Sequence, residues 1–464
     1  MKNFFKISLI TFSLFALNSG AEELSFINAS MLIDQDGHAV IPENYTSIGE
    51  MAFFGTDLKS VALPENLTHI EKRAFQGTQL SQIQLPEGLV SIGEGAFYKT
   101  ALVDVVIPDA VQTLGDFAFS HIDTLETVGL GESLVSIGDT AFANTKITSI
   151  ILPNSMQSIG SGAFLNSDLE TISIPESITA LSDGAFLGAS KLTSVELPGT
   201  LETIGKQAFR GTALKSIEIP DSVTLIDDEA FFQAATLNSV SMGSAVSVIG
   251  HSAFYGTGLT TLVIPDSVTS LGDFVFAKVP LQILEVGNGL IERDSVGFGA
   301  FYDVCTTLQS ASIDTPNALG RLEGETLRAP WSNGYSTYYN GLNFWGNSCS
   351  KLKTLTLGDN VVSVGNYTFP SITRLNELVV GHQVTSLGNG NFYNATNAYI
   401  FEPADQSISV NSFSYGATIC QDIDSDGDTY FDCYDPFPND PTEWVDTDSD
   451  AVGDNSDDDI DGDG

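Results

Sequence analysis

A motif close to L-x-x-I-x-L-P-x-x-L-x-x-I-G-x-x-A-F recurs along most of the chain, with one clear copy from Leu192 to Phe209. Such a period is typical of a solenoid, because one turn cannot bury its apolar face alone and stacked turns can. The phenylalanine returns every 22 or 23 residues until the last few copies, at Phe53, Phe75, Phe97, Phe119, Phe142, Phe164, Phe186, Phe209, Phe231, Phe254, Phe276, Phe301, Phe369 and Phe392. Proline or, less often, glycine follows the first apolar segment of each copy.

The segment before each proline alternates apolar and polar residues, which is typical of a short strand with one buried face. Proline has no backbone N–H and ends the strand. A second apolar group, such as Ile204, Ala208 and Phe209, can then face the same interior from the other side of the coil. We therefore predict a mainly β repeat solenoid over residues 22–419: a right-handed leucine-rich-repeat coil with 22–23-residue turns and a parallel strand ladder.

The repeats from Pro42 to about Phe392, with their I-P-D-S-V, S-I-G and A-F segments, resemble the BspA-type leucine-rich-repeat family. The resemblance covers over two thirds of the chain. Members of that family are typically surface or secreted proteins, and several bind host or matrix proteins. The resemblance therefore implies a binding or adhesion protein that recognises protein or glycan ligands through its repeat surface, without naming a ligand.

The outward positions of the predicted strands carry mostly small hydroxyl side chains. They are Lys59-Ser60, Ser81-Gln82, Glu170-Thr171, Thr193-Ser194, Lys215-Ser216, Asn238-Ser239 and Thr260-Thr261, with single glutamates at Glu196, Glu218 and Glu285. Hydrogen bonds from such a face can hold a glycan or a protein. Solvated strand residues with good β propensity give the same pattern, so the sequence leaves both interpretations open.

The repeat register is lost between Ile313 and Leu352, which predicts an irregular insertion at about residues 314–350. Aromatic rings on a loop offer a large contact area and can stack on sugars or enter a partner's pocket. Packing of the rings on the solenoid as a local cap is the alternative. The predicted ligand contacts are Trp331, Tyr335, Tyr338, Tyr339 and Trp345, and Phe344 lies among them.

Cys305 stands three residues before Leu308, and Cys349 stands three residues before Leu352, so both occupy the same repeat position on turns that flank the insertion. Equivalent positions on stacked turns lie about 5 Å apart, which is within the Cα separation that a disulfide requires. Export favours oxidation. The sequence thus predicts a disulfide at the base of the insertion, whereas the family resemblance leaves room for an unpaired buried cysteine at this position.

After Cys420 the composition changes to an Asp-rich tail, residues 420–464. The run from Asp422 to Gly427 places carboxylates at alternate positions, and related runs begin at Asp446 and Asp459. Alternating carboxylates let a curling loop direct several oxygens to one hard cation, and glycine permits the sharp turn. The predicted calcium ligands are Asp422, Asp424, Asp426, Asp428, Asp432, Asp446, Asp448, Asp450, Asp454, Asp457, Asp459, Asp461 and Asp463.

The loop starts are 24 and 13 residues apart and resemble thrombospondin type 3 repeats, with prolines between them at Pro436, Pro438 and Pro441. The EF-hand is a poorer match, because position twelve is Cys433 or Asp457 where an EF-hand has glutamate. A Cys420–Cys433 disulfide is predicted to hold the first loop closed. A merely solvating acidic tail is the alternative, and the third run ends with the sequence, which leaves open a longer natural chain.

Residues 1–21 are predicted to be a secretory signal peptide. Lys2 and Lys6 give a positive start, residues 7–17 are apolar, and Ser19-Gly20-Ala21 forms a small-residue cleavage site. The apolar run is shorter than the roughly 20 residues that a membrane-spanning helix needs. We therefore expect a mature chain from about Glu22 that is secreted, extracellular or at the cell surface, with no membrane insertion after cleavage.

The formal net charge is -41, of which residues 422–464 contribute sixteen Asp and one Glu, leaving -24 for the rest. A field of this sign repels phosphate backbones and anionic lipid headgroups, so no nucleic acid partner is expected. The alternative is that the acidic surface merely keeps an exported protein soluble. Because no H-E-x-x-H, G-x-S-x-G or phosphate-loop motif is present, we predict a binding protein and not an enzyme.

The predicted partner is an unidentified extracellular protein or glycan, and the predicted cofactor is calcium. Two alternatives stay open: a structural component of the cell envelope or matrix, and the recognition part of a longer secreted protein.

Overall fold

The computed structural model describes residues 22–291, 295–315, 349–364, 369, 372, 374–381, 383–387, 392, 399–402, 418–421, 425–427, 436–443, 445–446 and 453–456. Within them the chain forms a parallel β-solenoid with almost no helix, as the repeat predicts. Every pairing between its strands is parallel, and partners are residues of successive turns, such as Ser136 with Ser158.

Short strands make up nearly all of the regular structure. In chain order they are β1 (Glu22–Leu24), β2 (His38–Val40), β3 (Tyr45–Ile48), β4 (Ser60–Ala62), β5 (His69–Ile70), β6 (Ser91–Ile92), β7 (Asp104–Val106), β8 (Thr113–Leu114), β9 (Thr127–Gly129), β10 (Ser136–Ile137), β11 (Ser158–Ile159), β12 (Thr171–Ser173), β13 (Ala180–Leu181), β14 (Ser194–Glu196), β15 (Thr203–Ile204), β16 (Ser216–Glu218), β17 (Leu225–Ile226), β18 (Ser239–Ser241), β19 (Val248–Ile249), β20 (Thr261–Ile264), β21 (Ser270–Leu271), β22 (Ile283–Val286), β23 (Ser310–Ile313), β24 (Thr354–Leu357), β25 (Ser363–Val364), β26 (Glu377–Val380), β27 (Ser386–Leu387), β28 (Tyr399–Glu402) and β29 (Thr418–Gln421).

The strands stack in two columns. The front wall lies just before the proline or glycine corner of each turn and comprises β2, β4, β7, β9, β12, β14, β16, β18, β20, β22, β23, β24, β26, β28 and β29. The back wall comprises the remaining strands, which after β1 come from the S-I-G segments and the equivalent positions of other turns. The front wall is one seven-stranded sheet from β20 to β29, whereas earlier in the chain its strands pair only two by two.

The A-F segments form a third column, the turn wall. The Phe53 N–H donates to Ala74 O at 2.7 Å, and the Phe75 N–H donates to Ala96 O at 2.7 Å. Positions two residues before and after the phenylalanine adopt left-handed backbone in most turns, with φ of 56° at Lys99 for example. These tight bends bring each A-F pair inward and let successive turns bond through the backbone.

The phenylalanines of the repeat form one ladder through the interior. From Phe53 to Phe301 successive ring centroids lie 4.9–5.8 Å apart, and the ring planes differ by at most 21°. All of these rings are fully buried, as are Phe369 and Phe392 farther along. The predicted core is therefore confirmed, and Ile204, Ala208 and Phe209 face it together.

Two corner residues of the repeat have a stacking role. A Cβ at Gly138 would lie 2.5 Å from the backbone nitrogen of Asp116 on the preceding turn, so this corner of the S-I-G segment has no room for a side chain. At the I-P-D corner, Asp221 Oδ1 accepts the Ser244 N–H of the next turn at 2.8 Å. This hydrogen bond lowers the pKa of Asp221 from its ordinary value of 3.8.

The insertion between Ile313 and Leu352 leaves the stack continuous. β23 pairs directly with β24, with Ser310 opposite Thr354, although the chain between them is much longer than one turn. A single 3-10 turn, Val304–Thr306, precedes β23. At the other end the helix α1 (Phe26–Leu32) joins β1 to β2. Across the described residues, no helix has the length and apolar character that a bilayer crossing requires.

Candidate functional site

The front wall opens between β9 and β12. Residues 149–152, Ser-Ile-Ile-Leu, keep the alternation of a strand, with Ile151 88% exposed between two buried neighbours. Yet within the continuously described residues 22–291, the backbone groups of this segment form no hydrogen bond with β9 or β12. The turn therefore has the side-chain pattern of a strand without the ladder.

The back wall is interrupted at the same level of the stack. β11 ends a seven-stranded sheet and β13 begins a separate five-stranded one. Between them the Ser182 hydroxyl donates to Ile159 O at 2.6 Å, in the place where a backbone N–H bonds the corresponding carbonyl in neighbouring turns. The ring spacing from Phe142 to Phe164, 5.8 Å, is the widest in the ladder up to Phe301. We call residues 149–182 the seam.

A groove of about 480 Å³ lies on the front wall at the seam. The side chains of Ile150, Leu152 and Ile172 form its buried floor, and Ile151 is exposed at its edge. Hydroxyl, amide and carboxylate groups complete the lining, from Ser149, Asn154, Thr171, Ser173, Ser194 and Glu196, together with Pro175. The groove thus combines an apolar contact with several hydrogen-bond donors and acceptors.

Hydroxyl groups link successive turns on both walls, and on the front wall they do so at Thr193, which donates to Glu170 O at 3.2 Å, and at Thr354, which donates to Ser310 Oγ at 2.8 Å. On the back wall, the Ser247 hydroxyl donates to Thr224 O at 3.0 Å and the Thr269 hydroxyl to Ser247 O at 3.2 Å, so they link successive turns. Several other exposed front-wall hydroxyls have no side-chain hydrogen bond to any described residue, among them those of Thr171, Ser194, Ser216, Ser239 and Thr261. These front-wall hydroxyls are therefore available to an external partner, as the sequence pattern allowed.

The glutamates predicted on the strand face are also on the front wall. Glu196, Glu218 and Glu285 are all exposed. None of the three belongs to an ion pair among the described residues, where the pairs lie at other positions, such as Lys191 with Asp168 at 2.9 Å. Their unneutralised charge makes this part of the front wall attractive to cationic groups.

The two cysteines at the base of the insertion lie side by side on adjacent turns. Cys305 and Cys349 are fully buried, their Cα atoms are 4.6 Å apart, and their sulfur atoms lie within bonding distance. The aromatic residues predicted to contact a ligand, Trp331, Tyr335, Tyr338, Tyr339 and Trp345, lie outside the described residues.

Few of the predicted calcium ligands fall within the described part of the tail. They are Asp426, Asp446 and Asp454, and the other predicted aspartates lie outside it, as does Cys433. Gly427 adopts a φ of 82°, the sharp left-handed bend that the calcium-loop interpretation assigns to it. Among the described residues, no group of three or more His, Cys, Asp or Glu is placed to hold a metal ion. The backbone of Cys420 belongs to β29.

One tail residue has a structural role that the sequence interpretation missed. Glu443 is 4% exposed, and its carboxylate accepts the Asn455 N–H at 3.1 Å and the Ser456 hydroxyl. It thereby connects two parts of the tail that are twelve residues apart. The sequence contains a sign of this role, because Glu443 is the single glutamate among the sixteen aspartates of residues 422–464. The longer side chain reaches a segment that aspartate would not.

Comparisons with known proteins agree with this architecture. Residues 37–134, 90–212, 115–238, 224–321 and 343–424 match the model of the BspA type leucine rich repeat region. A leucine-rich repeat protein from Bacteroides ovatus is similar over 71% of this chain and 78% of its own, with 27% identity and a TM-score of 0.51.

Two further solved structures resemble the chain more distantly. A leucine-rich repeat protein from Eubacterium ventriosum has 19% identity and a TM-score of 0.40, over 82% of this chain and 95% of its own. A leucine rich cell surface protein from Faecalibacterium prausnitzii has 20% identity and a TM-score of 0.36, over 81% and 92%. No curated protein matches the chain. Because the family model matches well over half of its residues, the chain belongs to the BspA-type leucine-rich-repeat family.

Proposed function

We propose that this chain is an exported binding protein that recognises a protein or glycan ligand on its front wall, centred on the groove at the seam. The observation that carries the proposal is the combination of this groove with front-wall hydroxyls that have no partner among the described residues. Other hydroxyls of the solenoid, such as that of Ser247, are consumed in linking turns.

The chemistry of the groove suits a polar ligand with some apolar surface. Hydroxyl groups donate and accept hydrogen bonds, as do the hydroxyls of sugars and the backbone of a peptide. Ile151 adds an apolar contact that gains free energy when a ligand removes it from water. Glu196 favours a ligand that presents a hydrogen-bond donor or a positive charge at this edge.

The test starts from a screen of the mature chain, residues 22–464, against immobilised glycans and extracellular matrix proteins, with and without calcium. For each ligand found, the variant Ile151→Glu is compared with the wild type by surface plasmon resonance. We expect at least about a tenfold loss of affinity, because the change places a charge where an apolar contact is buried.

A matched control is Val248→Glu, which places the same charge at a partly exposed apolar position of the back wall. It should leave binding within about twofold of the wild type. Binding that survives Ile151→Glu but disappears when Trp331 and Trp345 are changed to Ala would place recognition on the insertion and contradict the proposal for the groove.

Two alternative roles have distinct signatures. A structural component of the cell envelope or matrix should self-assemble, and assembly that depends on calcium and is detected by light scattering favours that role. The recognition part of a longer secreted protein requires further coding sequence downstream of residue 464, which sequencing of the gene settles.

For the tail we propose calcium-stabilised repeats of the thrombospondin type 3 kind that act as a spacer. The support is the alternating aspartates from Asp422, with Gly427 in the left-handed conformation that the loop requires. Calcium would be held by aspartate oxygens and would supply structural crosslinking. Titration calorimetry of residues 22–464 should show heat at millimolar calcium that falls in an Asp422→Asn, Asp424→Asn, Asp426→Asn variant. No heat in the wild type contradicts the proposal.

Export is proposed from the leader pattern of residues 1–21. Expression of the full chain in a secreting host should release a protein whose N-terminus begins near Glu22. Intact-mass measurement of the secreted product gives the cleavage point, and retention of the unprocessed chain inside the cell would contradict this part of the proposal.

A further inference from the structure

The N-terminal end of the solenoid is closed by α1, which exposes three large apolar side chains beside Asn28 and Ser30. Ala29 of this helix is fully buried against the first turn. In contrast, Phe26 is 48%, Ile27 is 67% and Met31 is 77% exposed. Terminal caps of solenoids need a polar outer face, because they meet water where inner turns meet a neighbour. This cap departs from that rule, because these three large apolar side chains are exposed to water.

A groove of about 540 Å³ lies beside this helix, where α1 meets the first front-wall turn. Its lining includes Ser30, Ile33, Asp34 and Asp57. Asp34 is already engaged, because its carboxylate accepts the N–H groups of Asp36 and His38 at 2.9 Å. Asp57 is exposed and belongs to no ion pair among the described residues.

The charges around the cap are predominantly negative. Glu23, Asp34, Asp36 and Asp57 are exposed, against one exposed lysine, Lys59, in the groove lining. Two copies meeting cap to cap would bring these carboxylates together, and an anionic lipid surface would be repelled in the same way. A partner that combines apolar side chains with lysine or arginine matches both the helix face and its acidic rim.

We infer that the N-terminal cap is a docking surface for a basic amphipathic segment of another protein. The apolar side of that segment covers Phe26, Ile27 and Met31, and its cationic side chains reach toward Asp57 in the groove. This surface is at the end of the stack and is separate from the front-wall groove at the seam, so neither proposal depends on the other.

The test uses a fluorescein-labelled 14-residue helical peptide made of leucine and lysine, and the mature chain, residues 22–464, at physiological salt. Fluorescence anisotropy should show saturable binding that weakens about tenfold or more in the Ile27→Ser, Met31→Ser variant, since two apolar contacts are lost. Both side chains are exposed, so the circular dichroism spectrum and Tm of the variant should match the wild type.

The matched control is Val106→Ser, Val263→Ser, which removes two exposed apolar side chains from the front wall outside the groove at the seam. It should leave peptide binding within about twofold, and Asp57→Asn should weaken binding more than Glu132→Gln, a distant exposed carboxylate. Peptide binding that is unchanged in the cap variant overturns the inference. So does a wild-type dimer in analytical ultracentrifugation that the cap variant abolishes, because a second copy would then be the occupant.

Discussion

The solenoid before Thr261 and the solenoid after it bury the same kind of core but bond their walls differently. Before Thr261 the front wall is a series of two-stranded pairs with an open turn at residues 149–152. From β20 to β29 it is one seven-stranded sheet. The back wall shows the reverse: its seven- and five-stranded sheets end at Leu271, and in the described residues beyond it β25 and β27 form a two-stranded pair.

No single ladder holds the stack together. The phenylalanine ladder and the turn wall continue through the seam, where both strand walls are interrupted. Because core packing maintains the spacing of the turns, a wall can lose its hydrogen bonds locally without ending the solenoid. The early front wall therefore has an accessible groove, whereas the later front wall is closed by regular pairing.

The largest expected effect is the loss of a core ring at the seam. Phe164→Ala should lower the free energy of unfolding by about 3–5 kcal/mol, the usual cost of a large buried cavity. Neither wall has paired strands there, and only isolated hydrogen bonds such as that from the Glu170 N–H to Thr148 O remain, so urea unfolding followed by circular dichroism should separate into two transitions. Phe231→Ala, in a region where β15, β17 and β19 are paired, should lower stability without splitting the transition. One shared transition in both variants would contradict the weakness of the seam.

The next largest effect on stability is expected in the solenoid after Thr261, where the front wall is one continuous sheet. Replacing Cys305 and Cys349 with Ser should lower the free energy of unfolding by about 2–4 kcal/mol, because a crosslink that closes a long loop is lost. Dithiothreitol should destabilise the wild type by a similar amount and leave the double variant unchanged. A wild type that is insensitive to reductant would show that the two thiols are not joined in solution.

A smaller effect is expected for the hydroxyl that bridges the seam. Ser182→Ala removes the hydrogen bond to Ile159 O and should cost about 0.5–1.5 kcal/mol. Ser194→Ala removes an exposed hydroxyl with no described partner and should change the free energy of unfolding by less than about 0.5 kcal/mol. Thermal unfolding of both variants gives the comparison, and equal losses would contradict the division between linking and available hydroxyls.

The smallest effect is the acid dependence of an I-P-D corner. The Ser244 N–H lowers the pKa of Asp221 below 3.8, so the ionised carboxylate stabilises the fold above pH 3.8, and this contribution is lost as the pH falls through the lowered pKa. The stability difference between wild type and Asp221→Asn should therefore shrink below pH 3.8. Asp104→Asn, at an exposed carboxylate without such a bond, serves as the control. A difference that grows with acid would contradict the assignment.

Much of the fold was predictable because the repeat reports the core directly. Each A-F phenylalanine and the apolar residues of each alternating strand segment must be buried. Their positions follow directly from the period of the sequence. The adjacency of Cys305 and Cys349 followed from the same counting of positions. The groove was not predictable in this way, because residues 149–152 have good strand formers and an unbroken pattern. Ser182 takes the glycine position of the S-I-G corner, which is visible in the sequence. That its hydroxyl bonds Ile159 O of the preceding turn is visible only in the structure.

The period, the interior and the outward chemistry of each turn follow from the residues that repeat at fixed spacing. Which walls are bonded, which hydroxyls remain available and which faces of α1 meet water depend on how the turns pack in three dimensions. The physical reason is that hydrogen bonds between turns join residues about 22 positions apart, so their presence depends on how two neighbouring turns pack. A single turn does not contain that information.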